Sequence, residues 1–326
     1  MAVYTRLTKE EIENHLKNYP LGKLVDFKEI IDGIDNSNFI IDTEKGRFIL
    51  TIFESRINKK ELPFFINFKL HLANKGICCP RPVLNNLGES IADLKGKKSS
   101  IVSFLSGATL KPQEDGYYSS ITAQHCFEIG KVLAELHGAA IDFEMSRDNE
   151  LSVAGFRNLF SRFEQLVEGY QKGLCDEILE TLSFLEQNWK ITLPQIAVHA
   201  DLFPDNVFFS QDGKVSGVID FYFAADDILI YDFAITANAW CFDEKNNFKE
   251  EKFIKLMEGY NEVRKFSVEE LGFLEIAFLA AATRFLLTRL HDMFFTAKDS
   301  LVKVKNPQEY LAKMRYFRSK ITRLYT

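Results

Sequence analysis

His199-Ala-Asp201-Leu-Phe-Pro-Asp205-Asn206 runs into Val207-Phe-Phe209, the turn Gln211-Asp-Gly-Lys214 and then Val215-Ser-Gly-Val-Ile-Asp220-Phe221, and the fold is read outward from this stretch. Two short β-branched or aromatic runs around a Gly-containing turn predict a small hairpin. Its open ends carry the polar residues: Asp201, Asp205 and Asn206 before the first strand, Asp220 after the second. Ile196-Ala-Val198 reads as one more short strand leading in. Elsewhere between residue 105 and the C-terminus the periodicity is helical, over 118–140, 155–170, 174–190, 228–241, 250–263 and 267–296.

Residues 20–104 have the opposite character. Runs at 24–32, 38–43, 47–54, 90–94 and 98–104 are β-rich and separated by turn compositions such as Gly33-Ile-Asp-Asn-Ser37, Glu44-Lys-Gly46 and Lys95-Gly-Lys97. Pro63 suits the first turn of an inserted helix that Gly76 stops. A capping box at Thr8-Lys-Glu-Glu11 opens a further helix through Ile12 and Leu16. The fold class expected is α+β in two lobes: a five-stranded antiparallel sheet with a helix over residues 1–104, and a mainly helical lobe over 105–326.

Composition agrees with this division. A chain of 326 residues, 46% hydrophobic, is at the size where one core gives way to two. Its net charge of -6 speaks against a nucleic-acid partner, which calls for clustered Lys and Arg. The five cysteines, 78, 79, 126, 175 and 241, show no CxxC spacing, so neither a disulfide framework nor a zinc site is expected. The N-terminus lacks the apolar segment of a signal peptide, and the apolar run Leu271 to Leu290 is interrupted by Glu275 and Arg284, which predicts a buried helix and a cytoplasmic protein without membrane contact.

Phosphoryl transfer needs a carboxylate at the attacking hydroxyl, oxygen ligands for Mg²⁺ and groups that hold a triphosphate in line. In the protein-kinase catalytic loop, H-R-D-x-x-x-x-N, an Asp faces the hydroxyl and an Asn five positions later binds metal; Asp201 and Asn206 have that interval. Asp220 then stands where the metal-binding Asp of the D-F-G segment would fall. Two features depart from the pattern. The Gly-rich loop is absent, and the third strand, Phe48-Ile-Leu-Thr51-Ile-Phe53, has Thr51 in place of the phosphate-pairing Lys. Lys45, Arg47 and Arg56 are the neighbouring cations that offer a substitute.

The segment from His199 to Phe221 resembles the signature of the aminoglycoside phosphotransferase and choline kinase superfamily, which shares the protein-kinase fold. Gly33-Ile-Asp-Asn-Ser-Asn-Phe39, Phe48 to Glu54, Glu61-Leu-Pro-Phe-Phe-Ile66, Pro80-Arg-Pro82, Leu133-Ala-Glu-Leu-His137, Tyr231-Asp-Phe-Ala234 and Arg284 to Asp292 extend the resemblance over nearly the whole chain. In their order they are most similar to the branch whose acceptor is L-homoserine, in which a Leu-Thr pair occupies the usual Lys site. The resemblance implies transfer of the ATP γ-phosphate to the homoserine hydroxyl with Mg²⁺. It also implies Asp201 as catalytic base, Asn206 and Asp220 as metal ligands, Asn36, Ser37 and Asn38 at the phosphates, and main chain near Phe104 and Leu105 at adenine. His199 and Asp232 would support the catalytic loop.

An amino-acid acceptor further calls for a cation at its carboxylate and an anion at its ammonium group. On the long C-terminal helix Arg284, Asp292 and Arg289 fall at about 0°, 80° and 140°, which makes them candidates for this role or for a structural ion pair. Choline, ethanolamine, an aminoglycoside or methylthioribose are the alternative acceptors, and a binding module without turnover is the alternative of a different class.

Overall fold

The structure, a computed structural model, describes residues 5–30, 36–54, 58–112, 118, 120–189, 192–297 and 304–325. The chain forms two compact units, Met1–Ser106 with Ser216–Ile219, and Gly107–Val215 with Asp220–Thr326. The first division thus falls two residues beyond the expected 104/105, and a short piece of the second hairpin strand joins the first unit.

In the first unit β1 (Leu24–Ile30), β2 (Asn36–Thr43), β3 (Gly46–Phe53), β4 (Ala92–Leu94) and β5 (Lys97–Ser103) form one antiparallel sheet of order β1-β2-β3-β5-β4. Strand alternation puts Phe39 and Ile41, Leu50 and Ile52, and Ile101 on one face, where Ile12 and Leu16 of α1 (Lys9–Leu16) complete an apolar core. The capping box of α1 is formed, with Thr8 N–H donating to Glu11 at 2.8 Å and Glu11 N–H to Thr8 Oγ1 at 3.3 Å. Asn38, Thr51 and Ser100 lie in register across β2, β3 and β5 and therefore share one face of the sheet. The inserted helix α2 (Leu62–Asn74) has its Pro in the first turn and is followed by Gly76 at φ +89°. The turn Gly33–Asp35 and Arg56 lie outside the described residues.

The second unit is built around α9 (Val268–Phe295), which is long and apolar enough by composition to cross a membrane, yet has Ala277 to Arg284 and Leu286, Leu287 and Leu290 buried within the protein. The expected helix 155–170 is two helices, α4 (Val153–Ser161) and α5 (Glu164–Tyr170). They break where Phe163 leaves helical geometry (φ -140°, ψ 9°) and buries its ring against Phe160 and Phe294. α3 (Ala123–Ala140) starts at a Thr122 cap rather than at 118. α6 (Leu174–Asn188), α7 (Leu229–Trp240) and α8 (Glu250–Val263) follow the expected ranges closely. One further helix, α10 (Pro307–Tyr325), was not anticipated. It buries Tyr310, Leu311, Met314, Phe317 and Ile321. All five thiols are unpaired.

Three pairs of short strands carry the site. β7 (Gln195–Val198) pairs antiparallel with β10 (Ala225–Ile228), and β6 (Ala108–Thr109) pairs with β8 (Val207–Phe209). β9 (Val215–Val218) follows β8 through a turn closed by Ser210 N–H to Lys214 O, with Gly213 at φ +79°.

Candidate active site

β7 delivers its last residue, Val198, directly into His199, and the loop from there to Asn206 is held from two sides and by its own bonds. From α7, the buried carboxylate of Asp232 accepts the main-chain N–H groups of His199 (3.1 Å) and Ala200 (2.8 Å). The same carboxylate lies 3.0 Å from His137 Nε2, and His137 Nδ1 lies 2.8 Å from the Tyr260 hydroxyl, so the anchor continues into α3 and α8. Burial works against the charge of Asp232, but the bonds from His137 and the loop amides outweigh it and hold its pKa below the ordinary value.

From α9 the fully buried Arg284 donates to Ala200 O at 2.7 Å, and its guanidinium lies 4.8 Å from the ring centroid of Phe285. Ala200 stands at φ +61°, a left-handed conformation that a non-glycine residue adopts only when its surroundings impose it. The loop then folds on itself. Phe203 N–H donates to Asp201 O (2.8 Å) and Asn206 N–H to Phe203 O (2.9 Å). His199 Nδ1 accepts from Asp201 N–H at 3.2 Å. Asn206 Nδ2 donates to Asp201 O (2.8 Å) and Oδ2 (3.2 Å), so His199, Asp201 and Asn206 form one hydrogen-bonded knot.

The Asp201 carboxyl is pushed up to about 7, first by desolvation and then by the like charge of Asp220; Arg284 and Lys305 pull the other way. Asp220 follows β9, is exposed, and also stands left-handed at φ +66°. The structure therefore brings together Asp201, Asn206 and Asp220, with His199 and Asp232 behind them.

These residues fit a magnesium ion. The Asn206 amide nitrogen is fixed on Asp201, which orients its oxygen away from that contact, and with Asp220 it makes a hard-oxygen pair. Among the described residues no group of three or more His, Cys, Asp or Glu side chains is arranged for a metal. Two hard-oxygen donors suit a magnesium ion whose shell phosphate oxygens and water complete.

The residues expected at the phosphates are engaged within the first unit. Asn36 and Ser37 are buried and tied to Glu54 at the end of β3: Asn36 Oδ1 accepts Glu54 N–H (3.3 Å), and Ser37 Oγ donates to Glu54 Oε1 (2.7 Å). Lys97 closes that group on Glu54 Oε2. Asn38 Oδ1 accepts the Thr51 hydroxyl at 2.8 Å, and beside it on β5 the buried Ser100 hydroxyl has no partner. Arg47 makes a bidentate pair with Asp42 (2.6 and 2.9 Å), so it is engaged elsewhere. Lys69 of α2 is the one buried Lys or Arg among the described residues of the first unit. Phe104 N–H donates to Arg47 O (3.4 Å), and Leu105 packs against Gly217.

The three residues of α9 expected around the acceptor do not form one set. Arg284 is held on the catalytic loop; Arg289 is bonded to Glu309 (2.6 Å) and Asn306 O (2.9 Å) of the following segment; Asp292 is exposed beside His291. Helical angle gave their directions but not what they would meet. The polar groups that do lie near Asp201 include the charged Asp205 and Lys305, with Nζ 3.9 Å from Asp205 Oδ2, and the neutral Tyr118 hydroxyl, which is bonded to Asp205. Nothing in the spacing of Tyr118 or Lys305 singles them out. Asp205 sits inside the motif itself.

A phosphotransferase enzyme family model matches residues 26–266, and the chain belongs to that family. Its relatives narrow the class. Homoserine kinase of Rhizobium meliloti (strain 1021) is 43% identical over 98% of this chain and 95% of its own length. That of Xanthobacter autotrophicus is 44% identical over 97% and 96%. Among solved structures, amicoumacin kinase in complex with AMP-PNP, Ca²⁺ and amicoumacin superposes with a TM-score of 0.67 at 15% identity, covering 97% of this chain and 93% of that one. The microcompartment-associated aminopropanol kinase gives 0.63 at 14%, over 97% and 98%. The structural likeness establishes the two-lobed kinase-like fold.

Proposed function

We propose that this chain transfers the γ-phosphoryl group of ATP to the side-chain hydroxyl of L-homoserine, forming O-phospho-L-homoserine and ADP. The observation that carries the reading is identity above 40% with homoserine kinases over almost the full length of both partners, catalytic loop and C-terminal helices included. The geometry around Asp201 supports it.

Asp201 accepts the hydroxyl proton as the homoserine oxygen attacks the γ-phosphorus. The new O–P bond forms as the bond to the β-γ bridging oxygen breaks, and ADP leaves with that electron pair. A carboxyl near neutrality is suited to taking a proton at physiological pH. Asp232 and Arg284 hold the loop so that Asp201 is in place before substrate arrives, which lowers the reorganisation needed during reaction. Asn206 and Asp220 would hold Mg²⁺, which when bound offsets charge on the phosphate oxygens.

The test is ADP release by the purified protein with Mg²⁺-ATP, measured against L-homoserine, choline, ethanolamine, an aminoglycoside and methylthioribose. Turnover is expected with homoserine, at a kcat/KM far above the others. Activity on any of the others with homoserine left untouched would overturn the acceptor and leave the phosphotransferase class standing.

A further inference from the structure

Beside the catalytic loop stand two opposite charges that are close but not joined. Lys305 Nζ and Asp205 Oδ2 are 3.9 Å apart, beyond hydrogen-bond length, and their side chains keep 58% and 43% of their accessible surface. Asp205 Oδ1 is buried without a partner, although the carboxylate accepts the Tyr118 hydroxyl. A buried carboxylate oxygen with no donor is costly unless something brings one. Lys305 is steadied over the Phe203 ring at 5.3 Å, and Phe203 in turn packs on Phe285 of α9 at 4.9 Å.

Both charges lie close to Asp201. Asp205 is four residues from Asp201 in a loop closed by the Asn206 bonds, and Asp205 and Lys305 each act electrostatically on the Asp201 carboxyl. Homoserine carries its hydroxyl two methylenes from an α-carbon bearing one cation and one anion. With the hydroxyl at Asp201, those two groups require an anion and a cation a few ångströms further out.

Resting on the homoserine reading, we propose that Asp205 and Lys305 are the specificity pair of this enzyme, Asp205 taking the acceptor's ammonium group at its accessible carboxylate edge and Lys305 its carboxylate. Arg284 is not the carboxylate partner, because it is fully buried and its guanidinium is held on Ala200. The pair also explains why neither residue makes a tight ion pair with the other: each is kept for one end of a zwitterion.

The experiment compares wild type, Asp205→Asn, Lys305→Met and Lys305→Arg by steady-state kinetics on L-homoserine, 4-hydroxybutyrate (no ammonium) and 3-aminopropan-1-ol (no carboxylate). Asp205→Asn is expected to raise the homoserine KM about 10- to 100-fold while kcat/KM for 4-hydroxybutyrate changes far less. Lys305→Met should raise the homoserine KM similarly with 3-aminopropan-1-ol changed far less, and Lys305→Arg should recover most of the loss. The ATP KM should stay within about twofold in all variants, since neither group faces the nucleotide in this assignment. Equal losses on all three acceptors, or a homoserine KM unmoved by either substitution, would overturn the pair. Wild type inactive on homoserine would overturn both the pair and the functional reading, whereas an active wild type with unmoved variants overturns the pair alone.

Discussion

Ala200 and Asp220, next to or within the catalytic set, both stand in left-handed backbone conformations without being glycine. Such a conformation costs about 1–2 kcal/mol per residue and survives only where neighbours over-determine it. For Ala200 those neighbours are Asp232 at its N–H and Arg284 at its O. Arg284→Met keeps much of the volume but removes the donor, so kcat should fall about 10- to 100-fold with the ATP KM little changed. Asp201→Asn, which removes the base and leaves the packing, should lower kcat by about 10²- to 10⁴-fold. Single-turnover rates beside circular dichroism separate the two cases from misfolding; an Arg284→Met enzyme with full kcat would end the positioning argument. The set Asp201, Asn206 and Asp220 was legible in sequence because their spacing is the spacing of one small hairpin. Arg284 lies 84 residues from the main-chain oxygen it holds, and no local pattern records such a meeting. The same holds for Asn36 and Ser37, whose composition suggests a phosphate turn while their side chains bond Glu54.

At the scale of elements, periodicity located most strands and helices because one buried face decides each. It missed where that face is interrupted or short: Phe163 turns inward and divides α4 from α5, and β6 has only two residues. α10 is read in retrospect from Tyr310, Met314, Phe317 and Ile321, spaced at helical intervals within a strongly basic segment. Two glycines show how tertiary packing reverses a local rule. Gly130 of α3 and Gly259 of α8 sit where the two helices touch backbone to backbone: a Cβ on Gly130 would lie 2.2 Å from Leu256 O, and one on Gly259 2.0 Å from Phe127 O. Helix propensity alone favours alanine at such sites by about 1 kcal/mol. The contact predicts the opposite sign, since backbone must move, with Gly259→Ala destabilising by about 1–3 kcal/mol and Gly130→Ala comparably. Urea unfolding measures both; a stabilised variant would mean that the helices are not pressed together at these points.

For the molecule as a whole, the C-terminal helix is tied to the core of its unit by charge as well as by apolar packing, which makes stability depend on pH. Glu309 of α10 lies between Arg289 of α9 (2.6 Å) and Lys313 (2.6 Å), and Lys313 also donates to Asn238 O (2.9 Å). Burial raises the Glu309 pKa, but Lys313 and Arg289 together override it and bring it down to about 2 from an ordinary 4.5. A carboxyl depressed in the folded state stabilises fully above its unfolded pKa and loses that contribution as pH falls through the folded one. The window is therefore pH 4.5 down to about 2. The shift corresponds to about 3 kcal/mol at neutral pH. Asp227, buried and pushed up to about 6 by desolvation, has the opposite sign: it favours the folded state as pH falls from about 6 to its ordinary 3.8, so its gain overlaps the start of the Glu309 loss and offsets part of it. Glu309→Gln removes the depressed carboxyl while retaining its shape. Thermal unfolding followed from pH 7 to pH 2 should show the variant less stable at neutral pH by up to about 3 kcal/mol, with the gap to wild type closing as the acid window is crossed. A gap that stays constant over that range would place the loss in packing rather than in charge, and the tie between α9 and α10 would then be apolar.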